Sequence, residues 1–313
     1  MKTEISPGRQ AALLELLQFL QAQHYRFITV TPATHARVLS WRQHEGATLA
    51  EAFGWSMPFS RSLLPPERMQ YWLHNEVLLE AGRSLVSTVR VSSLEEKLFL
   101  HSPYPTVQGN DVFFGPDTYR FVRFLSGHIG SWTHMEGCRI ADIGCGSGAG
   151  GIMLASQCHH PQLTLSDINH AALSCARLNA AHNQQSADIR FSDLLTALPG
   201  EFDLIVANPP YLNDGMERSY RHGGGRWGAE LSLKLVHESC RRLAPGGRLL
   251  LYTGSAIENG RDAFREAVMK MLDENFEHEY EEIDVDVFGE ELERDAYSTV
   301  DRIAVAGLVV VRK

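Results

Sequence analysis

The sequence predicts an α/β protein: a mostly parallel sheet with helices on both faces, preceded by a smaller, mostly helical N-terminal domain. Three observations predict it. From residue 139 onward, β-prone segments alternate with helical ones, the rhythm of βαβ units. Turns rich in glycine, aspartate and proline fall directly after those strands, where open parallel sheets bind ligands. Before residue 101, helical spacing dominates instead.

Leu13, Leu14, Leu17 and Leu20 mark a first helix within residues 8–23. Pro32 can open a second, and Pro65-Pro66 a third that runs to about Ala81, where Gly82 ends it. Residues 84–91 and 97–100 are β-prone, with Ser92-Ser93 as the turn between them. Three helices and a hairpin make residues 1–100 an accessory or substrate-recognition domain. The stretch 101–110, with two prolines and a glycine, opens the second domain, 101–313. Strands are expected there at 139–143, 163–166, 189–191, 202–207, 248–252, 277–285 and 302–310. Helices are expected from about Gly150 and at 170–182, 231–243 and 260–272.

With 313 residues, 44% hydrophobic and 21% charged, the chain can bury a full core without disulfide or metal staples. Its longest apolar stretch, 303–310, is far short of a membrane helix, and no secretory signal is visible. A cytoplasmic protein with no membrane partner is expected. Five cysteines without a C-x-x-C pair read as reduced thiols, so neither a metal nor a disulfide is expected. The net charge of −9 argues against a non-specific nucleic-acid coat. That acidity is local, however: residues 273–295 hold 12 acidic side chains and one basic. Arg218, Arg221 and Arg226 lie close after residue 211, so a nucleic-acid substrate stays open.

Asp142-Ile143-Gly144-Cys145-Gly146-Ser147-Gly148 follows the 139–143 strand, and its glycines let the backbone approach a ligand without Cβ interference. Gly146, Gly148 and Gly151 also satisfy G-x-G-x-x-G, so a dinucleotide reading is formally available. Asp142, though, would face a cationic amine and repel a pyrophosphate. Asp167 ends the next strand, placed for ribose hydroxyls, and Asp193 follows the third, placed for an adenine amino group. Acid after all three strands fits S-adenosylmethionine.

Asn208-Pro209-Pro210-Tyr211 closes the 202–207 strand. Two prolines supply no backbone donors, which leaves their carbonyls and the Asn amide oxygen as fixed acceptors. Acceptors so held can orient a planar nitrogen toward an incoming methyl group, and Tyr211 offers a stacking face.

These motifs resemble the Rossmann-like S-adenosylmethionine-dependent methyltransferases. More narrowly, they are similar to the small methyltransferase domain shared by glutamine methyltransferases of release factors and by adenine amino methyltransferases of RNA or DNA. The resemblance covers about residues 112–254. It implies S-adenosylmethionine as cofactor, held by Asp142, Gly144, Cys145, Gly146, Gly148, Asp167, Ile168, Asp193, Leu194 and Asn208. It implies that Asn208, Pro209, Pro210 and Tyr211 position the acceptor, with Thr118, Arg221 and His222 contributing a substrate loop. Phe288-Gly289-Glu290-Glu291 is a candidate for the opposite wall. A protein glutamine amide is the favoured acceptor, with an adenine amino group in RNA or DNA as the alternative. A small-molecule acceptor, or binding without turnover, follows behind. The segment 114–119 keeps the family's Pro and Thr but lacks the Arg and acid of the glutamine branch.

Overall fold

The computed structural model describes residues 5–42, 45–130, 136–215, 218 and 220–313. The chain divides into two compact units. The first is Met1–Arg120 with Gly146–Ala149 and His170–Ser186; the second is Phe121–Cys145, Gly150–Asn169 and Ala187–Lys313.

The first unit begins with α1 (Pro7–Ala22), whose N-terminus is capped by the Ser6 side chain with Pro at the first helical position. Then follow α2 (Pro32–Trp41), α3 (Leu49–Phe53) and α4 (Pro66–His74). Two hairpins come next, β1 (Leu78–Ala81) with β2 (Ser84–Ser87) and β3 (Arg90–Leu94) with β4 (Lys97–His101). Leu16, Leu17 and Leu20 of α1 share one core with Phe53, Trp72, Leu85 and Leu178.

The expected long third helix is therefore shorter than its sequence pattern. It stops at His74, the chain reverses through Glu76 at φ 56°, and Leu78–Ala81 pair as β1 with Ser84–Ser87, hairpin pairing overriding their helix propensity. Gly82, at φ 65°, serves as a hairpin turn and not as a helix stop. Ser92 and Ser93 lie inside β3 because their hydroxyls find buried partners. Ser92 Oγ is 2.8 Å from His101 Nε2, and Ser93 Oγ donates to Phe27 O at 3.0 Å. Glu95, at φ 53°, takes the turn instead. The short α3 had a legible signal, the capping box of Thr48 and Glu51.

Next is α5 (Pro116–His128), an unpredicted helix whose Tyr119, Phe121, Val122 and Phe124 have only modest helix propensity. The second unit then holds the main sheet. Its members are β5 (Arg139–Ile143), α6 (Ala149–Ala155), β6 (Gln162–Asp167), α7 (His170–His182), β7 (Ala187–Phe191) and β8 (Phe202–Ala207). They continue with α8 (Glu230–Cys240), β9 (Leu243–Glu258), β10 (Arg261–Asp262), α9 (Ala263–Met271), β11 (Phe276–Asp284) and β12 (Arg302–Arg312). Of these, α7 belongs to the first unit, where it packs on β4 and α1.

The strand order is β11-β12-β9-β8-β5-β6-β7, with β10 on β9. The five strands from β9 to β7 run parallel, and β12 is antiparallel to both neighbours. The expected α/β architecture is thus the one observed. Ile205, Ala207, Leu249, Leu251 and Leu308 pack with Leu235, Val236, Phe264 and Val268 in the core of one face. Boundaries differ most at β9, expected at 248–252 and observed as Leu243–Glu258: Leu243 pairs with Phe202 before Ala244-Pro245-Gly246-Gly247 bulges out and pairing resumes at Arg248, and Arg261–Asp262, expected as helix, pair with its end as β10. Helix α8 therefore ends at Cys240.

The chain runs from β5 outward to β6 and β7, then returns to place β8 on the other side of β5. At such a reversal the two following loops diverge and open a crevice at the carboxyl ends of the strands. The loops in question are 144–148 and 208–211. Among the described residues, no helix is long and apolar enough to cross a membrane.

Candidate active site

Register places the two loops side by side. Ile143 pairs with Ala207 on one side and Ser166 on the other, so Gly144 and Asn208 leave adjacent strand ends. One strand further out, Asp167 pairs with Phe191, two residues before Asp193.

Asp142 is buried, and its Oδ2 accepts the Gly151 N–H at 2.7 Å. The strand-end carboxylate thereby fixes the first turn of α6. A Cβ on Gly151 would lie 2.9 Å from the Asp142 Cβ, so helix and strand can approach this closely only with glycine there. Burial pushes the Asp142 carboxyl up to about 7, and the nearby charge of Asp167 adds to the rise. Gly144, Gly146 and Gly148 all have positive φ, at 66°, 53° and 78°. Cβ atoms added at Gly144 or Gly146 would meet nothing within 4 Å, so the loop borders open space. Cys145 is buried, and its N–H donates to Ser166 O at 2.9 Å, tying the loop to β6.

Asp167 is half-buried, and its Oδ1 accepts the Asn169 N–H at 2.8 Å. Ile168 stands 52% exposed and Phe191 54% exposed, two large apolar side chains presented to solvent at neighbouring strand ends. Asp193 is exposed, whereas its carbonyl is taken by Thr196 Oγ1 at 2.7 Å. Leu194 sits at φ 47°, in the left-handed region, and the turn is held by Ser192 Oγ donating to Leu194 O at 2.8 Å.

Asn208 and Pro210 are half-buried, and Pro209 and Tyr211 are buried. The Tyr211 ring is walled by three residues distant in sequence. Tyr252 lies at 6.5 Å between ring centroids, Phe288 at 6.0 Å and nearly edge-on, and Gly254 beneath the ring edge. A Cβ on Gly254 would fall 2.2 Å from Tyr211 Cδ2. Gly254→Ala is accordingly expected to displace the ring and cost about 1–3 kcal/mol of overpacking. Thermal denaturation reads this as a lowered midpoint, and an unchanged midpoint would show that the ring yields freely.

The arginine-rich segment after Tyr211, expected to contribute a substrate loop, is tied down by internal contacts. Leu212 N–H donates to Arg221 O at 3.1 Å and Gly223 N–H to Leu212 O at 2.9 Å, so the segment folds back on the turn after β8. Gly228 has φ 85°, and a Cβ there would lie 2.4 Å from Tyr211 O, so only glycine fits. Arg218 binds the buried Asp214 through Nε at 2.9 Å and Nη2 at 2.8 Å, which holds the Asp214 carboxyl well below the usual carboxylate range. Arg221 pairs with Glu291, which is buried and also accepts from Arg294 Nη1 at 2.6 Å. Tyr297 Oη accepts the Asn213 N–H at 2.7 Å. The charges of Arg218 and Arg221 are thus satisfied internally, and the exposed Arg226 pairs with Glu258 at 3.3 Å and lies 4.2 Å from the Trp227 ring centroid.

His222 Nδ1 accepts the Asp214 N–H at 3.2 Å, which assigns that atom a structural role. Thr118 lies in the first unit, where its hydroxyl accepts the Gly115 N–H at 3.2 Å at the start of α5. The second unit therefore gathers Asp142, Gly144, Cys145, Asp167, Ile168, Asp193, Leu194 and Asn208 to Tyr211 along one sheet edge. Gly254, Tyr252, Asp214 and Tyr297 escaped the motif reading. Phe288, read only as a possible wall, does face Tyr211.

Residues 131–277 match the methyltransferase small domain family. Ribosomal RNA small subunit methyltransferase C of Haemophilus influenzae (strain Rd) is 37% identical over 119 residues, 38% of this chain and 33% of that protein. The Erwinia tasmaniensis protein of the same name is 40% identical over 124 residues, 40% of this chain and 33% of that protein. The release factor glutamine methyltransferase of Chlamydia trachomatis is 29% identical over 175 residues, 49% of this chain and 60% of that protein. The chain spans about a third of the length of the two ribosomal RNA enzymes it matches. Among solved structures, a T. thermophilus 16S rRNA methyltransferase in complex with AdoMet and guanosine aligns at 16% identity with a TM-score of 0.48. That alignment covers 82% of this chain and 64% of the other.

Proposed function

We propose that this chain, whose residues 131–277 match the methyltransferase small domain family, transfers a methyl group from S-adenosylmethionine to a planar nitrogen, the exocyclic amine of a base in RNA. The observation that carries the reaction type is the Asn208-Pro209-Pro210-Tyr211 turn, set beside the glycine loop at the topological switch point. RNA is favoured because the two relatives with the higher identities are named for ribosomal RNA. A protein glutamine amide is the second reading, favoured by the match to the release factor enzyme.

The residues fit the cofactor. Open space over Gly144 and Gly146 leaves room for a ligand against the backbone. The resemblance assigns the amine to Asp142 and the ribose to Asp167, and Ile168 and Phe191 are exposed apolar faces for an adenine ring. When bound, S-adenosylmethionine supplies an electrophilic methyl group on a sulfonium. The Asn208 amide oxygen and the Pro209 carbonyl accept the acceptor's N–H groups and so orient its lone pair. Tyr211 stacks on the planar group, with Phe288 closing the slot from the side. Orientation and electrostatic stabilisation, with the proton lost to water afterwards, suffice for such a transfer.

Asp142 makes cofactor binding depend on pH. Its carboxyl is raised to about 7, so the anion that attracts an amine forms only as pH rises through that value. The same raised value means that this group favours folding at low pH and that its contribution declines between roughly pH 4 and 7. Cofactor affinity measured calorimetrically is expected to rise by up to about tenfold per pH unit below pH 7 and then level off. Asp142→Asn, which keeps an acceptor for Gly151, is expected to bind weakly with no such slope. A wild-type affinity flat across this range would contradict the assignment.

The acceptor class is tested by transfer of labelled methyl groups into a lysate, followed by separate digestion with ribonuclease or protease. Label released by ribonuclease supports the RNA reading. Label released only by protease moves the assignment to the glutamine reading.

A further inference from the structure

Helix α2 buries one of its ten residues, His35. That ring stacks on Tyr104 at 3.8 Å between centroids, and its Nε2 donates to Trp55 O at 3.0 Å. A single anchor of this kind leaves Ala33, Ala36, Arg37, Ser40 and Trp41 exposed. Trp41 is 76% exposed, the most exposed large apolar side chain among the described residues. Arg37 stands four positions earlier, so the two side chains share one stripe of the helix. Ser40 Oγ donates to the Arg37 carbonyl at 2.8 Å, but the Arg37 guanidinium is exposed and unpaired among the described residues. Arg42, by contrast, is held 3.3 Å from Glu51 and lies over the Trp55 ring at 5.0 Å. Between Glu15 and Glu45 the chain has three arginines and no acidic side chain, although its net charge is −9.

We propose that the exposed face of α2 holds a single strand of RNA, with Trp41 stacked on an unpaired base and Arg37 on an adjoining phosphate. This inference rests on the RNA reading given above and names the part of the first unit that would grip the strand. Charge and chemistry select the occupant. A tryptophan ring offers its face to any unpaired base, and a free guanidinium matches a phosphate with paired donors. A phosphate strand lying along this helix meets no carboxylate of the helix itself, because α2 has none. An apolar protein partner would need further large side chains beside Trp41, and the face offers Ala33, Ala36 and Ser40. Those small residues leave the ring accessible. In a duplex the bases already stack on one another, so the ring selects unpaired RNA. The surface lies outside residues 131–277, the part of the chain that the family covers.

Fluorescence anisotropy of the full chain with a labelled, mixed-sequence single-stranded RNA of about 12 nucleotides tests this, because stacking is tolerant of sequence. Trp41→Ala is expected to weaken binding about tenfold, and Trp41→Phe to keep most of the wild-type affinity. Arg37→Gln is expected to flatten the dependence of log affinity on log salt by about 0.7, the loss of one phosphate contact. Tyr71→Ala removes a 40% exposed aromatic ring from α4 and is expected to bind like wild type. Trp41 projects into solvent, so Trp41→Ala is expected to keep the wild-type thermal midpoint and cofactor affinity. RNA bound equally well by wild type and Trp41→Ala, or weakened just as much by Tyr71→Ala, would overturn this proposal and leave the RNA reading in place. A wild-type chain that binds no RNA would remove both.

Discussion

Asn208→Ala is expected to lower the rate of methyl transfer by about 10²–10³-fold, equivalent to roughly 2.7–4 kcal/mol of lost transition-state stabilisation. Cofactor affinity is expected to hold within about threefold, because the glycine loop, Asp142 and Asp167 are untouched. The two readouts separate the roles. Asn208 lies at the end of β8, after core residues Ile205, Val206 and Ala207 that are wholly buried, and is itself only half-buried. Truncating it leaves the strand intact, so the thermal midpoint is expected to stay close to wild type. Steady-state kinetics with labelled cofactor, paired with calorimetric binding, measure both quantities on one preparation. A variant that binds and turns over like wild type would remove Asn208 from the reaction.

Asn179→Leu is expected to be the most damaging substitution in the first unit, although it nearly conserves volume. Asn179 is fully buried on α7 and satisfies three backbone groups. It accepts the Leu100 N–H at 2.7 Å, donates to Leu100 O at 3.0 Å, and donates to Ser147 O at 2.8 Å. Leucine leaves all three buried and unpaired. At about 1–3 kcal/mol for each orphaned group, the loss totals on the order of 3 kcal/mol or more. Urea denaturation is expected to show a clearly lowered midpoint, and an unchanged one would show that water replaces the side chain. Ser147 belongs to the glycine loop, so cofactor affinity is expected to fall in the same variant.

How legible the molecule was depended on the reach of each interaction. The glycine loop, the aspartates and the Asn-Pro-Pro-Tyr turn are local patterns that follow strands, and strands with helices between them announce themselves by periodicity. What supports Tyr211 is not local. Gly254 and Phe288 meet it from 43 and 77 positions downstream, and only the pairing of β9 with β8 and β12 brings them there. The arginines after the turn read as a free basic cluster because Asp214 and the distant Glu291 gave no sign that they would be buried beside them. In the first unit, Gly82 fits a helix stop as well as a hairpin, and the choice was made by the pairing of Leu78 to Ala81 with β2. Ser92 and Ser93 look like turn residues until His101 and Phe27 supply their partners.

In the proposed reaction the turn after β8 presents a planar nitrogen for methylation. The most direct test is the position of the methyl group on the product, read by mass spectrometry after complete hydrolysis of labelled RNA and protein. Label is expected on an exocyclic base nitrogen of RNA, lost together with catalysis in Asn208→Ala. Label on a carbon or an oxygen, or cofactor bound with no label transferred to any acceptor, would contradict it.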